Sequence, residues 1–128
     1  MSSPQPNTGK SVLLIEDDEG ISDAMQEILT VEGYEVFSAT NGQKALDWLA
    51  SCDSLPGVIL LDLTMPIMNG YEFRKVQMRT ARIAPIPIVI LSADRRAESN
   101  VLRLDVAASL NKPPDIDELL KVIEPYFI

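Results

Sequence analysis

Apolar and polar positions follow two rhythms along this chain. Val12–Ile15 is an uninterrupted apolar run, the pattern of a strand covered on both faces. Ile21, Met25, Ile28 and Leu29 then repeat at helical spacing, and Gly33 stands where a C-terminal stop is expected. Glu35–Ala39 predicts a short strand and Asn41-Gly42 a turn. Ala45, Leu46 and Leu49 predict a second amphipathic helix, ended by the polar stretch from Cys52 to Gly57. Val58–Leu63 predicts a third strand, and Asn69-Gly70 leads into a short helix carrying Phe73 and Val76. Ile86–Leu91 predicts a fourth strand, with Pro85 and Pro87 at its entrance, where a missing N–H costs least. Val101, Leu102 and Asp105 fall on a fourth helix and Ala108–Leu110 on a fifth strand. Ile116, Leu119, Leu120 and Ile123 form the stripe of a final helix, begun by Asp115 and Asp117.

Strands alternating with helices over short connections predict an α/β fold: a parallel sheet with helices on both faces. At 128 residues the chain fits one domain with a core that needs no staples. Residues 1–10, polar and holding two prolines, are expected to be a disordered leader, and 11–128 the domain. Cys52 is the only cysteine, which excludes an intrachain disulfide and a thiolate cluster. The chain has no histidine, which excludes His-based triads, His-ligated zinc and a phosphoryl donor of its own. With a net charge of −8 it lacks the basic face of a nucleic-acid binder, so no direct nucleic-acid binding is expected. No apolar segment reaches the ~18 residues of a membrane span and no signal-peptide core is present, so a cytoplasmic location is expected.

Charge enters the picture at the strand ends. In an open parallel sheet, ligands bind beyond the carboxyl ends of the strands, where the strand order reverses. Those ends carry Glu16-Asp17-Asp18, Asp62, Ser92 and Lys112. A lone carboxylate there is ordinarily a helix cap or a solvated charge. Several on one edge repel each other unless a cation joins them. With oxygen ligands only, Mg²⁺ suits best. Lys112 and the Ser92 hydroxyl would then suit a bound phosphoryl group.

The motifs Ile15-Glu16-Asp17-Asp18, Leu60–Gly70, Ile90–Ala93 and Asn111-Lys112-Pro113 occur in this order at family-like spacing. Together the chain resembles the receiver domain of two-component response regulators, CheY-like in fold, over roughly residues 11–127. The resemblance implies a doubly wound (βα)5 flavodoxin-like sandwich with strand order 2-1-3-4-5. It implies Asp62 as phosphoacceptor and Mg²⁺ held by Asp17, Asp18, Asp62 and the Thr64 backbone carbonyl, with Asp18 the direct ligand and Asp17 acting through water. Ser92 and Lys112 would hold the phosphoryl oxygens, and Lys112–Pro113 would be a cis peptide. Implied partners are a sensor histidine kinase or a histidine phosphotransfer protein, with a downstream protein target that the motifs do not name. Glu16 receives no role and Asn69 is read as a helix cap.

Three positions depart from the family pattern: Ser109 replaces an aromatic residue, Asp105 a glycine, and Pro114 an apolar residue. All lie where receivers couple the site to their output surface, so the readout is expected mainly at Ala93–Glu98. The expected function is a stand-alone signalling switch, not an enzyme acting on other molecules, with a phosphorelay intermediate as the alternative. A small Mg²⁺-dependent aspartyl phosphohydrolase is disfavoured, because Thr64 stands where such enzymes carry their second acid.

Overall fold

The computed structural model describes residues 10–92, 106–112 and 114–127. Within them run β1 (Ser11–Ile15), α1 (Glu19–Val31), β2 (Glu35–Ala39), α2 (Gly42–Ser51), β3 (Val58–Asp62), α3 (Gly70–Arg79), β4 (Ile88–Ser92) and β5 (Ala108–Asn111). A C-terminal helix (Ile116–Ile123) and a 3₁₀ turn (Glu124–Phe127) follow. The expected fourth helix at Val101, Leu102 and Asp105, the readout stretch Ala93–Glu98 and the Lys112–Pro113 bond lie outside the described residues, as does most of the leader.

All five strands pair in parallel in the order β2-β1-β3-β4-β5, the expected doubly wound topology. Every residue of β1 and β3 is buried, as their unbroken apolar runs require. Alternate strand residues feed two separate cores. Leu13, Ile15, Ile59 and Leu61 pack with Ala45, Leu49 and Phe73 of α2 and α3. Val12, Leu14, Val58 and Leu60 pack with Met25 and Leu29 of α1 and with Leu119 and Ile123 of the C-terminal helix. This is the period-two alternation of a strand covered on both sides.

The helix ends follow from local chemistry. Gly33 takes φ +94°, a left-handed conformation open to glycine, directly after α1. Asn41 caps α2, its side-chain oxygen accepting the Lys44 N–H at 2.9 Å. Asn69 and Glu72 form a reciprocal capping box at the start of α3. Trp48 packs against Phe37 with ring centroids 4.7 Å apart, a packing role. One boundary differs from the sequence expectation. Ile86 belongs to a turn before β4, because its N–H bonds the Ile83 carbonyl and the buried Gln77 amide donates to the carbonyls of Ile83 and Ile86.

Candidate functional site

The chain winds outward from β1 in both directions, so the carboxyl ends of β1 and β3 border the crevice where the order reverses. The chain delivers Glu16 and Asp17 just past β1, Asp62 as the last residue of β3, Ser92 as the last of β4 and Lys112 just past β5. Glu16 stays tied to the sheet, its N–H bonded to the Ala39 carbonyl at 3.0 Å.

Asp62 is 2% exposed and Glu16 1% exposed, so the two carboxylates sit beneath the surface. Lys112 bridges them. Its Nζ donates to Glu16 Oε2 at 2.9 Å and to Asp62 Oδ2 at 3.0 Å. The other Asp62 oxygen, Oδ1, accepts the Thr64 N–H at 3.1 Å. Burial alone would lower the Lys112 pKa, but its hydrogen bonds to Glu16 and Asp62 outweigh it and hold the group above its ordinary value. Burial pushes Glu16 up to about 7, against the pull of Lys112 and the Asp18 N–H. Glu16 Oε1 is buried and has no hydrogen-bond partner. Such an orphan oxygen carries a desolvation cost that a bound cation would remove.

Ligand oxygens of Glu16, Asp17 and Asp62 lie within 4.8 Å of one another. Asp18 is not in this group. It is the N-cap of α1, its Oδ1 accepting the Ile21 N–H at 3.0 Å. Glu16, given no role from sequence, occupies the buried position instead. A sequence signal for this existed: an aspartate immediately before an amphipathic run is a preferred cap, which leaves the two preceding acids for the crevice.

The remaining site residues sit on the same edge. Ser92 is half-buried, and its carbonyl accepts the Lys112 N–H at 3.1 Å, which joins β4 to the lysine. Thr64 is exposed and touches Asp62 through its N–H. The loop after Asp62 is held close: the Gly70 N–H bonds the Leu63 carbonyl at 3.1 Å. Met65 is buried and Met68 half-buried in the same loop, so both fill space.

Gly70 is where this loop tolerates no side chain. A Cβ there would lie 2.7 Å from the Asp62 carbonyl oxygen and 2.8 Å from Leu63 Cα, both backbone atoms. Gly70→Ala should therefore cost about 1–3 kcal/mol in urea unfolding, with the backbone under Asp62 displaced. Wild-type stability in this variant would mean that the loop yields freely.

The chain matches the family described as "Response regulator receiver domain" over residues 12–124. It is 34% identical over 120 residues to the transcriptional regulatory protein CrdR of Helicobacter pylori, covering 92% of this chain and 55% of that protein. It is 32% identical over 121 residues to sporulation initiation phosphotransferase F of Bacillus subtilis, covering 91% of this chain and 93% of that protein. Among solved structures, chemotaxis protein CheY4 of Vibrio cholerae superposes with a TM-score of 0.80 at 27% identity, covering 91% of this chain and 97% of that one. The chain spans about half the length of several curated relatives it matches, CrdR among them. No helix among the described residues is long and apolar enough to cross a membrane.

Proposed function

The chain belongs to the response regulator receiver family of two-component signalling, and we propose that Asp62 is the carboxylate on which it accepts a phosphoryl group from a histidine kinase or histidine phosphotransfer protein. The observation that carries this is the seat of Asp62: a buried carboxylate at the switch point, bridged by Lys112 at 3.0 Å and oriented by the Thr64 N–H. A carboxylate oxygen so positioned can act as a nucleophile.

In the proposed transfer an Asp62 oxygen forms a bond to phosphorus as the P–N bond of the donor phosphohistidine breaks. The imidazole nitrogen keeps the electron pair. Lys112 and the Ser92 hydroxyl would hold oxygens of the transferred group, whose charge spreads over three atoms in the transition state. The donor set fits Mg²⁺: hard oxygen ligands close together, one of them a buried orphan. Glu16, Asp17 and Asp62 would hold it, with the Thr64 carbonyl a further oxygen. When bound, the cation neutralises negative charge on the phosphoryl oxygens.

Incubation with acetyl phosphate and Mg²⁺ tests the reading. One phosphoryl group should be added, and hydroxylamine should remove it, as for an acyl phosphate. Absence of labelling would overturn it. Calorimetric Mg²⁺ titration tests the ligand set: Asp17→Asn should weaken binding by about tenfold or more, and Asp18→Asn by less than about threefold. The reverse ranking would restore Asp18 as the ligand.

The relay alternative draws on the near full-length likeness to sporulation initiation phosphotransferase F, whose name describes a phosphotransferase. Onward transfer from labelled Asp62 to a histidine phosphotransfer protein would favour it over a terminal switch acting through an unnamed protein target. A role without direct nucleic-acid contact accords with the acidic composition.

A further inference from the structure

Ile67 combines a strained backbone with an exposed apolar side chain. Its φ is +68°, and it is the one non-glycine residue with positive φ among the described residues. The Met68 N–H donates to the Pro66 carbonyl at 2.7 Å, closing a three-residue turn around it. A turn of this kind with positive φ at its centre is rare, and a β-branched residue is strained there. The side chain is also 80% exposed, so it gains almost nothing from packing.

The turn is held from both sides. The Met68 carbonyl accepts the Gly42 N–H at 3.0 Å, which ties the turn to α2, and Gly70 closes onto Leu63. Strain over-determined by its surroundings and set beside a reactive group is a mark of functional placement. We propose that Ile67 is an apolar anchor for the histidine-bearing protein that phosphorylates Asp62, fixing that protein's position over the site. The proposal rests on the reading of Asp62 as phosphoacceptor.

Reach supports this occupant. Gly70 abuts the Asp62 backbone, and Ile67 lies three residues before it, so their Cα atoms are at most about 11 Å apart. A standard protein interface covers about 800 Å² on each partner, a disc of roughly 16 Å radius. An interface of that size centred on Asp62 has the reach to cover this turn. Charge disfavours a second copy of the chain as the occupant. Asp17, Asp18 and Glu19 stand exposed at the same edge of a chain of net charge −8, so two such edges repel. The fitting partner surface is an apolar hollow bordered by basic side chains.

Ile67→Gly and Ile67→Asn test this, since both residues accept the left-handed conformation. The glycine variant should melt about 2–5 °C higher than wild type through relief of strain. Purified histidine kinases of the source organism, autophosphorylated with ATP, serve as protein donors beside acetyl phosphate. The fastest kinase should lose about tenfold or more in kcat/KM toward both variants, mainly through KM. Labelling by acetyl phosphate should stay within about twofold of wild type, since a small donor makes no interface. Undiminished transfer from that kinase would overturn the anchor, as would a panel in which no kinase labels wild type while acetyl phosphate does. Concentration-dependent dimerisation of wild type that both variants abolish would overturn it in favour of a second copy. Failure of acetyl phosphate to label wild type would overturn the Asp62 reading, and the anchor with it.

Discussion

Asp62→Asn should lose phosphorylation by acetyl phosphate by at least about a thousandfold while remaining folded. The amide keeps the size and the acceptor oxygen of the carboxylate, so the Thr64 N–H now bonded at 3.1 Å keeps its partner. Lys112 keeps Glu16 at 2.9 Å. What disappears is the proposed nucleophilic oxygen, and no other described carboxylate is bonded to Lys112 apart from Glu16. Removing one of two neighbouring negative charges also relieves repulsion on Glu16, so the unfolding midpoint should hold or rise. Intact-mass measurement after incubation with acetyl phosphate and Mg²⁺ reads the first expectation, and urea unfolding the second. Unchanged labelling would move the acceptor elsewhere. A folded variant without labelling separates the loss of chemistry from the loss of structure.

A second large effect should appear in stability against pH. Glu16 is pushed by burial from 4.5 up to about 7 in the folded protein. A carboxyl raised in this way binds its proton more tightly when folded. Its contribution to stability is full below about 4.5 and is lost as pH rises to about 7. Over that range the loss amounts to about 2–3 kcal/mol for a group this buried. Lys112, held above its ordinary value, stays charged throughout and adds no slope. Urea unfolding between about pH 5 and about pH 8, where ordinary carboxylates have finished titrating, should show the decline. Glu16→Gln should flatten it. Added Mg²⁺ should offset the upper end of the decline, because a cation on Glu16, Asp17 and Asp62 competes with the proton there. An equal slope in Glu16→Gln would assign the proton to another group.

The chain's own pattern carried most of the architecture. Unbroken apolar runs at Val12–Ile15 and Val58–Leu61 match strands buried on both faces, and helical stripes between them supply the covering layers. Short connections and right-handed crossovers then leave few topologies, and polar residues at strand ends mark the edge where ligands bind. The placement of Asp62, Ser92 and Lys112 on one edge was legible for that reason: Asp62 and Ser92 each end an apolar run, Lys112 directly follows β5, and a parallel sheet brings such ends together.

Tertiary structure decided which of Glu16, Asp17 and Asp18 is buried. Three consecutive acids are nearly equivalent as a sequence, but a one-residue change in where a helix begins decides which of them caps it. Here α1 begins at Glu19, so Asp18 is taken by the Ile21 N–H. Glu16 keeps the sheet's hydrogen bonding and its side chain is buried against Lys112, a residue 96 positions away. The strained turn at Ile67 was likewise invisible in the sequence, since its positive φ is set by two loop closures, onto Gly42 and between Gly70 and Leu63. Local pattern determined which elements form and which edge gathers the polar side chains. Long-range packing determined which carboxylate is buried, because desolvation and ion pairing depend on neighbours that the chain brings together only when folded.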